Sequence, residues 1–187
     1  MSEFFLELFS EEMPPTLQSS ARDNLLTNFK NFFKKENIEY KKDIKAISTP
    51  NRLIIYFKNI SSEINQKSEE VRGPSTEANE KAISGFMKSN KIQNKDIYKK
   101  TTDKGEFFFY TKPSKKIKTV DLLNAQIPTI LNKLSWKKSM KWGENDFYWG
   151  RPLKSILGIF DGQSLKFKFH HLISTNTTFI DKEFEEK

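Results

Sequence analysis

Apolar positions alternate over residues 3–9, with Phe4, Leu6 and Leu8 on one face and Phe5 and Phe9 on the other beside Glu3 and Glu7. A period of two predicts a strand. The mixed second face predicts partial burial with carboxylates close by. Ser10-Glu11-Glu12-Met13-Pro14-Pro15 reads as a turn into a helix. Proline is tolerated in a first helical turn, and acids there suit the helix dipole. Leu17, Ala21, Leu25, Phe29 and Phe33 recur every four residues, so one buried stripe is expected on a helix over about residues 16–35, stopped at Asn37. Residues 44–48 and 53–60 read as two strands joined tightly through Thr49-Pro50-Asn51.

Periodicity lapses over the polar residues 61–70, which read as a linker. Val71-Arg72-Gly73-Pro74 reads as a fixed turn, after which Ser75 can cap a helix to about Lys88 with Ala78, Ala82, Phe86 and Met87 inward. Residues 97–99 and 106–111 suit a hairpin around Asp103-Lys104-Gly105. Thr119 can cap a further helix with Leu123, Ile127, Ile130, Leu131 and Leu134 inward, and Pro128 predicts a kink or restart within it. Residues 153–160 and 165–170 flank Asp161-Gly162, a strong hairpin signal. The expected class is α+β, with mixed or antiparallel sheets, packed helices and two small lobes. The first lobe would span residues 1–62, the linker 63–70 and the second lobe 71–178, with a divergent, charged tail over 179–187.

Composition narrows the function classes. Hydrophobic residues are 36% and charged residues 30%, and the 17 phenylalanines still supply a core, so general disorder is not expected. Without cysteine, disulfides and thiolate chemistry are excluded. No stretch approaches the roughly 18 apolar residues of a membrane span, and the early Glu3 and Glu7 do not suit a signal peptide. A cytoplasmic location and no membrane partner are therefore expected. The net charge of +8 favours acidic partners. Lysine dominates, however, so the four arginines (Arg22, Arg52, Arg72 and Arg151) stand out. The last three each lie within two residues of a Pro or Gly, and a planar guanidinium fork suits a carboxylate or phosphate partner better than lysine does. A structural ion pair and a ligand contact remain equal alternatives for them. For Arg151 the expected carboxylate is Glu7, Glu11 or Glu144.

No glycine loop for nucleotide phosphates occurs, and the adjacent His170 and His171 would point to opposite faces of a strand, so no metal site is expected. Glu7, Glu11 and Glu12 could work as acid–base groups, but no nucleophile or base accompanies them; pairing with Arg52 or Arg72, or complementing a helix N-terminus, is the favoured role. No catalytic residue is assigned. The stretch over residues 135–160 holds all three tryptophans, interleaved with lysines. Such interleaving suits a nucleic-acid or protein contact as well as ordinary packing. Lys137, Lys138 and Lys141 are candidates for phosphate contact, and Trp142 and Arg151 for packing or docking.

The motifs in order resemble a known family. Phe4-Phe5-Leu6-Glu7-Leu8 and Ser10-Glu11-Glu12-Met13-Pro14 are similar to the opening LLLEIGTEEIP of the bacterial glycyl-tRNA synthetase beta subunit. Ser48-Thr49-Pro50-Asn51-Arg52-Leu53 resembles its TPRRL, Arg72-Gly73-Pro74 its KGP, and Gly85-Phe86 its GFA region. Lys104-Gly105-Glu106-Phe107 resembles its KGEY, Lys138-Ser139-Met140-Lys141-Trp142 its KSMRW, and Gly150-Arg151-Pro152-Leu153 its RPI before an apolar strand. The resemblance fades after Thr178, where a GHRF-type motif would follow.

The family's subunit is several times longer, so the resemblance implies an N-terminal portion, without the HD-like and anticodon-binding domains. It implies a role in attaching glycine to tRNA(Gly). It also implies ATP and Mg²⁺ at the level of the assembled enzyme, no cofactor in this chain, and adenylation on a separate alpha subunit. Expected partners are that alpha subunit, tRNA(Gly) and the remainder of the beta subunit. A free-standing RNA-binding or interaction module derived from the subunit is the alternative.

Overall fold

A computed structural model describes residues 2–41, 43–66, 68–103, 105–142 and 147–179. Its elements are, in order, β1 (Ser2–Ser10), α1 (Pro15–Lys35), β2 (Ile44–Ser48), β3 (Arg52–Ile60), β4 (Glu63–Gln66), β5 (Glu69–Ser75) and α2 (Glu80–Asn90). There follow β6 (Ile97–Thr102), β7 (Gly105–Lys112), β8 (Lys115–Lys118) and α3 (Thr119–Asn132). The C-terminal part holds β9 (Met140–Lys141), β10 (Tyr148–Trp149), β11 (Leu153–Phe160), β12 (Gln163–Ser164), β13 (Lys168–Phe169) and β14 (Leu172–Ile173). The class is α+β.

The chain forms two compact units: Met1–Ile64 with Ile117–Lys187, and Asn65–Lys116. In the first, an antiparallel five-stranded sheet has the order β12-β11-β1-β3-β2. β1 is central: Phe4, Leu6 and Leu8 are buried on one face and Glu7 and Phe9 on the other, and its buried backbone groups are paired by β11 along one edge and β3 along the other. Phe4, Leu6 and Leu8 project to the helix-covered face, opposite Phe57, Ile55 and Leu53 of β3 and opposite Phe160, Gly158 and Ile156 of β11. The stripe of α1 closes on that face. Phe29 and Phe33 lie 5.2 and 6.3 Å from Phe4, ring centre to ring centre, and Phe33 meets Phe57 edge-on at 4.9 Å. Leu123, Ile127, Ile130 and Leu131 of α3 complete the same core.

Local signals account for the helix ends. Pro15 occupies the first turn of α1, and Asn37 ends the helix in a left-handed conformation (φ 55°). The amide of Ile38 then bonds back to the Phe33 carbonyl at 2.8 Å while the Ile38 side chain is buried, so carbonyls at the helix end are satisfied. Thr119 is the first residue of α3 rather than its cap. Its hydroxyl and amide donate to the Ser61 and Ser62 carbonyls at 2.5 and 2.8 Å. Pro128 lies inside a helix that runs unbroken from Thr119 to Asn132.

Several sequence expectations are corrected. The second lobe does not run from 71 to 178: residues from Ile117 onward rejoin the first unit, because β11 pairs along the whole of β1 and α3 buries its stripe in the first core. Residues 63–70 are not a linker, since β4 pairs with β8 and β5 begins at Glu69. Polarity there marks exposed strands whose only buried side chain is Ile64. Val71-Arg72-Gly73-Pro74 lies within β5, where the register slips between Arg72 and Ser75, instead of forming a free turn. The cap of α2 is Asn79, whose side chain accepts from the Ala82 amide at 2.9 Å; Ser75 ends β5. In the predicted 165–170 strand only Lys168–Phe169 is extended, because the arm bends inward to bury Leu165 and Phe167. The charged tail beyond residue 179 lies outside the described residues.

In the second unit β7 lies between β5 and β6, and the β6–β7 hairpin pairs Thr102 with Gly105. α2 covers the face on which Gly73 lies, where an added Cβ would stand 2.9 Å from the Phe86 ring.

Candidate functional site

The tryptophan-rich stretch folds back beside the start of α1. Trp149 is fully buried, 4.9 Å from the Trp136 ring, 6.1 Å from Phe147 and 5.6 Å from Phe169. The half-buried Trp142 donates its indole N–H to the Trp149 carbonyl at 2.8 Å. These rings are cross-bracing and not a free stacking surface. Gly150 permits the fold, since a Cβ there would lie 2.3 Å from the Trp136 ring and 3.0 Å from Leu17.

Beyond this brace a groove of about 240 Å³ opens between the first turn of α1 and the loop after α3. Pro14, Leu17 and Met140 give it an apolar floor, and Lys137, Lys138 and Arg151 supply three cations. Both lysines are exposed and Arg151 is half-buried. Of the three carboxylates expected for Arg151, Glu7 meets Arg52 and Glu11 meets Lys154, and Glu144 lies outside the described residues. Lys141 is exposed in β9, opposite Tyr148, and does not line the groove.

The acidic candidates separate. Glu7 is buried on the second face of β1, 3.4 Å from the Arg52 guanidinium, and accepts a hydrogen bond from the Thr178 hydroxyl. Arg52 also donates to the Phe179 carbonyl and lies 4.6 Å above the Phe9 ring, which stacks on Phe179 at 5.5 Å. This is a latch that holds the segment around Thr178 and Phe179 against β1 and β3. Glu11 pairs with Lys154 at 2.5 Å, and Glu12 is exposed in the same turn. Glu7, Glu11 and Glu12 therefore do not converge. Arg72 belongs to the other unit, where its guanidinium stacks 3.6 Å over Phe107. Sequence reasoning missed Thr178, Phe179 and Lys154. Alternation along β11 from Leu153 could have exposed Lys154, but no local signal marks the latch residues.

Among the described residues no group of three or more His, Cys, Asp or Glu side chains could hold a metal ion. His170 stacks on Phe147 at 4.2 Å and meets the Asn132 side chain at 3.0 Å. Partial burial, then the neighbouring His171, hold its pKa below the ordinary value. Across described residues, no helix is long and apolar enough to cross a membrane.

The arrangement defines an α+β module that offers an apolar, cation-rimmed groove for contact. The chain belongs to the glycyl-tRNA synthetase beta subunit family, whose model matches residues 4–187. It is 37% identical over 179 residues to the glycine–tRNA ligase beta subunit of Rickettsia prowazekii and 38% identical over the same length to that of Rickettsia bellii. Each alignment covers 96% of this chain and 27% of the relative, so the chain spans about a quarter of the length of the curated relatives it matches.

Proposed function

We propose that the chain serves as the N-terminal region of the beta subunit of a glycine–tRNA ligase, acting in the cytoplasm through assembly with a separate alpha subunit and the rest of beta. The family match along residues 4–187 carries this reading. Adenylation with ATP and Mg²⁺ is assigned to the alpha subunit, and this chain alone is inactive. Within the fold, the groove beside α1 is the contact surface. Lys137 and Lys138 reach phosphates of tRNA(Gly), with Lys141 close by in β9, while Arg151 and the Trp142 brace hold the groove in shape. Lysine contacts to phosphate are insensitive to sequence and sensitive to salt.

The test is co-purification with the alpha subunit, followed by a tRNA(Gly) titration at two salt concentrations. Capture of the alpha subunit is expected. Lys137→Gln/Lys138→Gln/Lys141→Gln should weaken tRNA binding and flatten its salt dependence, by roughly one unit of slope for each phosphate that a lysine no longer neutralises. An unchanged slope would remove the lysines from the contact. Failure to capture the alpha subunit, or ATP–pyrophosphate exchange by this chain alone, would overturn the subunit reading.

A further inference from the structure

The second unit has a sheet face that α2 does not cover. Residues paired across antiparallel strands share a face. The registers Arg72↔Phe109↔Tyr98 and Lys100↔Phe107 therefore gather Arg72, Tyr98, Lys100, Phe107 and Phe109 on one side. Gly73, the next residue along β5, lies on the other side against Phe86. The uncovered face is ordered by its own contacts. The Arg72 guanidinium lies 3.6 Å above Phe107, and the Lys100 ammonium 5.5 Å from the Phe109 ring centre. Tyr98 lies 6.2 Å from Phe109 with the rings 25° from parallel, and its hydroxyl donates to Glu70 at 2.7 Å. Lys100 pairs with the same carboxylate at 2.5 Å. Arg72 and Lys100 are nonetheless exposed, and Tyr98 keeps 38% of its surface.

We propose that this face is a stacking platform for a short unpaired stretch of RNA, with bases against Tyr98, Phe107 and the outer plane of Arg72 and phosphates on Arg72 and Lys100. Aromatic faces and guanidinium planes accept any unstacked base, and adjacent cations hold the strand by its backbone. Phe109 is buried against Tyr98 and Lys100 and so supports the platform from within, while Tyr98 and Arg72 present the exposed surfaces. Charge selects the partner. Asn65–Lys116 carries twelve basic and seven acidic side chains, a net +5 out of the chain's +8. The face itself carries one carboxylate, Glu70, already engaged by Tyr98 and Lys100. A polyanion with exposed ring faces fits that surface; a duplex hides its base faces, and an acidic peptide brings no rings to stack. The choice of RNA over DNA rests on the ligase reading above, whereas the platform geometry does not.

The experiment uses the whole chain and an eight-nucleotide RNA strand carrying 2-aminopurine, followed by fluorescence. Binding with quenching of the probe is expected. Tyr98→Leu/Phe107→Leu should weaken binding about tenfold or more. Arg72→Gln changes only an exposed side chain, so it tests the face even if the double variant folds poorly; it should weaken binding and lower the salt slope by about 0.7. Loss of alpha-subunit capture with quenching retained overturns the subunit reading and leaves the platform standing. The platform is overturned by an unquenched probe, by parental affinity in Arg72→Gln, by competition from a blunt RNA duplex as effective as that from unlabelled single strand, or by displacement with polyglutamate but not with single strand, which would assign the face to a protein.

Discussion

Removing the Arg52 charge tests whether the latch over β1 is held electrostatically. Arg52→Met keeps the apolar stem over Phe9 and deletes the guanidinium. The side chains of Arg52 and Glu7 retain 22% and 7% of their exposure, so the variant leaves a buried carboxylate with Thr178 as its remaining donor among the described residues. Removing one partner of a buried pair costs about 3–5 kcal/mol. Arg52 is partly solvated and Thr178 still bonds to Glu7, which puts the expected loss at the lower end, about 3 kcal/mol. For a chain of this size that is roughly 6–12 °C in Tm. Glu7→Gln should cost less, about 1 kcal/mol, because the remaining cation can turn toward water and keep the Phe179 carbonyl. The double variant should cost less than the sum of the singles, with a coupling of about 1–2 kcal/mol. All three tryptophans belong to the first unit, so denaturant unfolding followed by tryptophan fluorescence reports on the unit that holds the latch. Additive single costs, or an Arg52→Met variant within about 0.5 kcal/mol of the parent, would refute a charge-held latch.

Gly150→Ala should destabilise the first unit by about 1–3 kcal/mol, because its Cβ falls 2.3 Å from Trp136; a parental unfolding midpoint would mean the indole moves aside freely. Glu70 should titrate below the ordinary carboxylate value of 4.5, first because Lys100 donates to it and then because Tyr98 does. Its stabilising share is present above that ordinary value and lost as pH falls through the lowered one. An NMR titration of Lys100→Met should move the midpoint back up, and an unmoved midpoint would discount the pair. His170 should titrate below 6.5, through partial burial and then the proximity of His171. The folded state then binds fewer protons than the unfolded chain, so this group's contribution is complete above 6.5 and declines as pH falls through the lowered value. In His171→Asn the midpoint should rise, and a parental midpoint at or above 6.5 would contradict the assignment.

The legible parts of the fold were those in which a local period decides the outcome. The stripe Leu17, Ala21, Leu25, Phe29 and Phe33 fixed α1 to within a residue of its observed start, and the turns at Thr49-Pro50-Asn51 and Asp161-Gly162 marked real hairpins. Exposed strands were harder to read. β4 and β5 are paired but bury little, so their polarity resembled that of a linker. Ser75 and Thr119 are plausible caps by residue type, yet their hydroxyls serve other backbone groups, a choice made by tertiary position. The candidate site was legible in residue types and not in groupings. Lys137, Lys138 and Arg151 meet in the groove, but Glu7 finds Arg52 through the pairing of β1 with β3, and Glu11 finds Lys154 across β1 and β11.

The largest departure from sequence order has one cause, the position of β1. A strand buried as deeply as β1 must satisfy its backbone N–H and C=O groups along both edges. β3 pairs with one from nearby, and the other is paired only much later in the chain, by β11, with Phe4 opposite Phe160 and Leu8 opposite Ile156. Such distant pairing must overcome loop-closure entropy before it is rewarded. The β4–β8 ribbon eases this by making the exit from the first unit and the return to it hydrogen-bonded neighbours, so the second unit is inserted into the first and does not follow it. It follows that the tryptophan stretch cannot be a separate C-terminal surface. Its tryptophan rings join or pack on the same core as Phe4 and Phe29, while Lys137, Lys138 and Arg151 stay at the groove.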